Sequence, residues 1–371
     1  MTLLAIALAP AGSVVAQTQL DHPVVYQLSY DYADVPTLAP PLTVASAPQP
    51  PAPMPQQSIT PSPAPDSAYA APAACGNNAC DFSACCDPRW TFMAEAMLLQ
   101  RTDAGNQALY CNDFGHLGQE LLNAQDLNFS VAGGPRLTAI RHGDRGWDAE
   151  IGFFQVDGFL AWDRFSGTAY MVTDSAGANF VVTDPVARYS SQLYSAEFNL
   201  RRQRNDWLTV LAGMRILELD EYYHAEGIGG HTPVPVILDT KAYNHLYGFQ
   251  VGADAVLLNR GRLTITGLTK AGIYYNAARQ KGREIDTGFS DLSLGAEGDS
   301  TAFLGEIGLT GVYQLTDALS FRAGYQMMWL EGVALAPEQI STTDFGGGTS
   351  SVNTDGGIFY HGAVVGMELK Y

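Results

Sequence analysis

Residues 357–371 read GIFYHGAVVGMELKY, and the two faces of this segment differ in kind. Counting back from Tyr371, one face holds Tyr371, Leu369, Met367, Val365, Ala363 and Phe359. The other holds Lys370, Glu368, Gly366, Val364 and Gly362. An apolar set at every second residue is the period of a β-strand, because successive side chains leave opposite faces. The same alternation recurs upstream. In 191–202, Tyr194, Ala196, Phe198 and Leu200 oppose Ser195, Glu197, Asn199 and Arg201. In 244–257, Tyr247, Phe249, Val251, Ala253, Ala255 and Leu257 oppose Gly248, Gln250, Gly252 and Asp254. In 319–330, Phe321, Ala323, Tyr325, Met327 and Trp329 oppose Ser320, Arg322, Gly324 and Gln326. Segments 90–101, 136–141, 147–157, 207–220, 262–275 and 301–314 bring the total to ten.

The connections between these segments alternate strictly in length. Short turns fall at 142–146, 203–206, 258–261 and 315–318. Long connections fall at about 102–135, 158–190, 221–243, 276–300 and 332–357. The pattern predicts an all-β chain forming an up-and-down antiparallel transmembrane β-barrel, with tight periplasmic turns and long external loops. Ten strands are expected, or twelve if the first or second long connection holds a further hairpin. An even number places both ends of the barrel on the periplasmic side. Trp90, Trp147, Trp207 and Tyr371 fall at that end, and Tyr222, Tyr223, Tyr274, Tyr275 and Trp329 near the other, as two interfacial girdles. No run of 18 apolar residues is present, which excludes a transmembrane helix.

The chain has 371 residues, with 20 Lys and Arg against 38 Asp and Glu, a formal net charge of −18 that argues against nucleic acid as a partner. Residues 1–16 read as a signal peptide, an apolar run ending in Val14-Val15-Ala16, a small-x-Ala cleavage site. No Lys or Arg precedes Arg89, so the true start codon is expected upstream. Residues 17–73 read as a disordered Pro-rich periplasmic linker, since twelve of the 20 prolines lie between Pro36 and Pro72. Its two readings are a tether to the cell wall or a periplasmic partner, and an idle spacer. Residues 74–89 hold Cys75, Cys80, Cys85 and Cys86, which suggest two disulfides in an exported protein, with three connectivities open. Zinc is the weaker reading because the spacing is not a CxxC…CxxC pair, and Cys111 stands apart. Residues 90–371 form the expected outer-membrane barrel.

Taking the polar face of each strand as the lumen gives the acids Glu95, Asp148, Glu150, Glu197, Asp254, Glu306 and Glu368. The bases are Arg101, Arg136, Arg201, Arg215, Arg262, Lys270, Arg322 and Lys370. The near balance of sign fits either a polar lining for solute passage or a paired network that fills the lumen. Ten strands stand nearer the filled eight-stranded barrel than the open sixteen-stranded one. Gly213, Gly248, Gly252, Gly308, Gly324 and Gly366 on the same face are read as leaving space. The five long connections together carry −12 of the net charge, so the outer face should be anionic and open to divalent cations. No DxDxDG loop is present, and the glycine-rich DFGGGTSS (344–351) lacks a Walker Lys, so no metal or cofactor site is expected. The rim groups Asp220, Glu221, His224, His231 and His361 form no recognisable nucleophile–base spacing, and the chain is not read as an enzyme. The expectation is a porin-like outer-membrane barrel with a narrow or gated polar lumen for small solutes or ions. The alternatives are a structural or surface-contact barrel without transport, and, third, a barrel-rim hydrolase.

Several strings carry a family resemblance: PRWTFMAEAMLLQR (88–101), LYSAEFNLRR (193–202), LAGMRILELDE (211–221) and LYGFQVGADAVL (246–257). KAGIYYNAA (270–278), FLGEIGLTGVYQLTD (303–317) and RAGYQMMWLEGVALAPEQI (322–340) continue it. In order, and over nearly all of 88–371, the chain resembles the seventh type of beta-barrel porin families of planctomycete-type bacteria. The resemblance implies an outer-membrane β-barrel in contact with outer-membrane lipid, and it brings no catalytic residues. The ending Gly366-x-x-Leu369-x-Tyr371 resembles the insertion signal read by barrel-assembly machinery, with Val364 where a polar residue is usual.

Overall fold

A computed structural model of the chain describes residues 88–102, 104–113, 119–230, 233–286 and 290–371. The expected leader and linker, Cys75, Cys80, Cys85 and Cys86, and His231 lie outside the described residues. The described strands are β1 (Trp90–Arg101), β2 (Ala108–Cys111), β3 (Glu120–Asn123), β4 (Ala132–His142) and β5 (Trp147–Arg164). They continue with β6 (Thr168–Asp174), β7 (Gly177–Asn205), β8 (Leu208–Gly229), β9 (Pro235–Arg260) and β10 (Leu263–Asp286). The last are β11 (Ser290–Gln314), β12 (Leu319–Val333), β13 (Thr343–Asp344), β14 (Thr349–Ser350) and β15 (Gly356–Lys370).

Ten of them close a ring. The order runs β7-β5-β4-β1-β15-β12-β11-β10-β9-β8, and β8 pairs back to β7. Every pairing is antiparallel, and the first and last barrel strands meet from Thr91↔Lys370 to Arg101↔Tyr360. Closure removes the free edges that an open sheet would expose. The expected turns join β4 to β5, β7 to β8, β9 to β10 and β11 to β12. In the first of these, Arg145 and Gly146 take φ of 61° and 72°, a left-handed pair that reverses the chain tightly.

Polarity sorts by face. On the outside, β8 shows Leu208, Val210, Ala212, Met214 and Ile216 before Glu218, and β9 shows Leu257, Ala255, Ala253, Val251, Phe249 and Tyr247 before His245. Phe249 is 73% exposed and Ile273 65%. Facing in at the same height are Glu95, Arg215, Gln250, Lys270 and Glu306, all buried. An apolar belt outside and charge inside is the layout of a transmembrane β-barrel. Trp90, Trp147, Trp207 and Tyr371 lie exposed at the short-turn end, and Trp329 lies on the outer wall toward the other, beside Phe359. Tyr223 and Tyr274 belong to neither girdle, because their parity points them inward, where they are buried.

Three of the five expected long loops are mostly strand. The stretches 158–190, 221–243 and 276–300 carry the continuations of β5 and β7, β8 and β9, and β10 and β11. β7 runs 29 residues and β9 26, against the roughly 9–11 that cross a bilayer. The polar/apolar sense inverts above the belt. There Val236, Leu238 and Ala242 face in, while Asp239 and Lys241 face out. The upper wall is therefore built like a water-soluble barrel standing on a membrane barrel. The other two connections fold over or into the mouth. Residues 102–131 hold the β2–β3 hairpin, which joins the barrel sheet through β6. Residues 334–355 hold a 3-10 turn at Pro337–Thr342 and the β13–β14 hairpin. β2 and β3 in the first long connection and β6 in the second all lie outside the ring, so the twelve-stranded alternative does not form. Cys111, in β2, is a free buried thiol.

Candidate functional site

The interior of the barrel is the site, and it is stratified. Nearest the short turns lies a layer of ion pairs. Arg322 donates to Glu95 at 2.9 Å and to Glu368 at 2.6 Å, and Lys370 approaches Glu368 at 3.3 Å. Arg136 lies 3.7 Å from Glu95 and 3.9 Å from Glu306 and donates to Gln326 at 2.7 Å. Gln326 in turn donates to Glu306 at 2.8 Å. Arg215 donates to Glu306 at 2.9 Å and to Ser195 at 2.8 Å. Lys270 donates to Glu197 at 2.6 Å and sits 3.7 Å from Glu150. Arg201 bridges Glu150 and Asp254. The network touches all ten barrel strands and balances acid against base around the whole section.

Of the residues read as lumen-lining, Glu95, Arg136, Glu150, Glu197, Arg201, Arg215, Asp254, Lys270, Glu306, Arg322, Glu368 and Lys370 join this one network. Asp148 sits apart at the rim with His142, 3.1 Å away. Arg101 sits higher, paired with Glu221 and lying 4.3 Å over the Phe129 ring. Arg262 is not in the interior; it is exposed in the β9–β10 turn, one residue before β10 begins. The lumen-side glycines do not leave space in general. A Cβ at Gly248 would meet Ile273 O and the Tyr274 ring, at Gly213 it would meet Phe198 O and Asn199, and at Gly366 the backbone of Ala94 and Glu95. Their absent side chains are filled by neighbours, which lets Tyr274 and the ionic groups lie across the interior. Gly308 is the exception, with nothing nearer than 3.7 Å.

Above the ions comes an apolar section. Met97, Leu99, Phe154, Val156, Leu217, Leu219, Leu246, Tyr274, Leu304, Met328, Ile358 and Val364 pack there, all buried. The 334–355 segment docks on top of it, bringing Leu335, Ile340 and Phe345 into the same core. Its backbone is held by inward side chains of the wall. Asn244 accepts from Ala334 N at 2.7 Å and donates to Ala334 O at 2.9 Å. Asn276 donates to Gly332 O at 3.0 Å, and Glu221 accepts from Ala336 N at 3.0 Å. Gln280 reaches Thr343 Oγ1 at 3.3 Å. Glu338 accepts from Gly105 N at 3.0 Å and so ties this segment to the 102–131 connection. Burial pushes the Glu338 carboxyl up to about 7, and Glu221 and Asp355 nearby act in the same direction. Sequence reasoning missed Asn244, Asn276 and Gln280, because a search for charge passes over neutral amides. Their inward parity at three β9–β10 positions is the signal that could have found them.

Free space is small. A cavity of about 290 Å³ opens among Glu95, Arg136, Asp206, Arg322 and Lys370, toward the short-turn end. Within the ionic layer, about 10 Å³ remains between Arg136, Glu197, Arg215 and Glu306, the lower limit for a single water. No cluster of three metal-ligating groups occurs among the described residues. The rim candidates do not converge. Glu221 faces in and is consumed by Arg101, Tyr189 and Ala336. His224 faces out, 2.7 Å from Asp239, which also accepts from Tyr222 at 2.6 Å. His361 faces out on a different strand and bonds Tyr325 at 2.6 Å. Among the described residues, the hydroxyls hydrogen-bonded to these histidines are the phenols of Tyr222 and Tyr325.

Fold and site together define a ten-stranded transmembrane β-barrel whose interior is filled. No family model matches the chain, and no curated protein matches it. Among solved structures it is similar to the outer membrane protease OmpT from Escherichia coli, at 11% identity and TM-score 0.44, over 76% of this chain and 96% of that one. It is also similar to the Pseudomonas putida toluene transporter TodX, at 11% identity and TM-score 0.29, over 77% and 91%. A Pseudomonas aeruginosa FadL homologue shares 10% identity at TM-score 0.24, over 76% and 89%. The barrel assignment rests on this chain's own strand pairing and polarity.

Proposed function

We propose that this protein is a closed barrel of a bacterial outer membrane, acting as a structural and surface-contact element rather than as a standing channel. Its short turns face the periplasm and its tall hairpins face outward. One observation carries the reading: two different fillings, the ion-pair layer and the docked 334–355 segment, succeed one another along the lumen. The sequence resemblance to a barrel family points to the same compartment. The test is the full chain in a planar bilayer. A closed barrel gives no discrete conductance, whereas steady open events at neutral pH would overturn the reading.

A gated pore is the second reading, favoured by one feature. The 334–355 segment is tethered at both ends to adjacent strands, and it is held largely by side-chain hydrogen bonds to its backbone. Such a seat is separable. If the segment is a gate, Asn244→Ala with Asn276→Ala should turn a silent bilayer into one with transient openings. A silent double variant leaves the closed reading standing alone.

A further inference from the structure

Above the belt the outer wall is charged, and the sign is unevenly spread. β8 carries Glu218, Asp220 and Glu226 outward, while β9 and β10 carry Lys241, Arg279, Lys281 and Arg283, with Asp239 directly opposite Arg283. These four are a fifth of all the Lys and Arg in a chain of net charge −18. Lys241 and Lys281 stand directly opposite each other in the β9–β10 ladder, with Arg279 and Arg283 two residues to either side on the same face. Like charges directly opposed across a ladder destabilise it. Neither ammonium has a carboxylate within 4.0 Å among the described residues. Lys241 leans over the Tyr222 ring at 5.1 Å, and the other cross-strand neighbour of Lys281 is Gly295, which leaves the strand face open. Arg279 pairs with Glu297 and Arg283 with Asp291, the latter through two parallel hydrogen bonds; both pairs are about half exposed and keep one guanidinium edge open to solvent.

Height fixes what could meet this face. Tyr247 and Tyr275 oppose each other two rungs below Arg279 and Tyr243, both about half exposed, at the top of the apolar belt. Paired tyrosines there mark the membrane interface. An open concavity of about 690 Å³ starts at Tyr275, reaches Arg279 and Lys281, and is also lined by Glu297 and Asp299 of β11. It places the cations at the level of headgroups, with acyl-chain contacts such as Ile273 directly beneath.

We propose that the Lys241–Lys281 face binds an outer-leaflet lipid whose headgroup carries a phosphomonoester. The dianion settles the opposed ammonium pair, the free guanidinium edges of Arg279 and Arg283 donate to its oxygens, and the acyl chains lie along Ile273 and Phe249. The proposal rests on the membrane-barrel reading, and its test separates the two. The full chain is inserted into phosphatidylcholine vesicles doped with a bisphosphorylated diglucosamine lipid, or with the same lipid after dephosphorylation. Retained lipid is measured by native mass spectrometry, and a heat-modifiable gel shift of the same sample checks insertion. The phosphorylated lipid should be retained in preference, and Lys241→Gln with Lys281→Gln should lower retention roughly ten- to thirty-fold. Arg204→Gln with Arg260→Gln, at the opposite end, should leave retention unchanged. Equal retention of both lipids, or no effect of the lysine pair in an inserted barrel, overturns the proposal. Displacement by free inorganic phosphate at equal concentration overturns its commitment to a lipid. Failure to insert counts against the barrel reading instead.

Discussion

Arg101 and Glu221 show how a single residue is fixed by what surrounds it. Both side chains are fully buried, Tyr189 donates to the same carboxylate, and Ala336 N donates to it from the docked segment. Removing one partner strands the other charge in a dry interior, which costs about 3–5 kcal/mol. Arg101→Met should therefore lower the urea midpoint of the folded barrel sharply, and adding Glu221→Gln should recover much of the loss. A double variant no better than the single one would show that the pair is not coupled. Glu338 gives the pH-dependent counterpart. Its carboxyl is raised to about 7 in the docked state, above an ordinary glutamate near 4.3. The docked state thus holds a proton that the released segment gives up. Docking is strongest below about pH 4, and weakens as pH rises through about 7. Protection against hydrogen exchange across 334–355, taken relative to the intrinsic rate at each pH, should be lower at about pH 8 than at about pH 5, and Glu338→Gln should flatten that difference.

At the scale of elements, the strands were legible where membrane and lumen impose opposite demands. The ends of β15, β7 and β9 were read correctly because their outward residues are uniformly apolar. The upper halves of β8, β9, β10 and β11 read as loops, since Tyr222, Asp239, Lys241, Arg279 and Lys281 break the apolar set. Their ladders nevertheless continue to Asp286↔Ser290, because backbone pairing needs no apolar outer face once water can solvate it. The 334–355 segment has no period to read, and its seat is made by residues far away in sequence. Asn244→Ala removes two hydrogen bonds to Ala334 and leaves two buried backbone groups unpaired, at about 1–3 kcal/mol. Faster exchange confined to 332–340, with the barrel amides unchanged, is the expected result. Equal protection in the variant would mean that apolar packing of Leu335 and Ile340 alone holds the segment.

The barrel as a whole is two environments on one set of strands. In the lower part apolar groups face out and ions face in, while in the upper part the order reverses. Phe249, 73% exposed at mid-belt, tests which solvent lies outside. Phe249→Arg should cost about 2–4 kcal/mol in a bilayer and reduce the heat-modifiable, inserted fraction. Lys281→Glu, on the same wall above the belt, should leave that fraction as it was. Equal tolerance at both positions would contradict a lipid-facing belt.

What the sequence by itself determined was the all-β class, the ten-stranded ring, the short turns and the charges that share the inner face. All of these follow from a period of two and from turn chemistry, which are local. Only the tertiary structure decided which of those inner charges meet and what packs above them. The sequence supplies the same balanced acids and bases for a wet pore and for a filled core. The outcome depends on distances across the barrel, such as Arg215 to Glu306 and Asn244 to Ala334. These join residues about ninety positions apart, whose side chains meet only once ten strands have closed at a diameter small enough for them to touch.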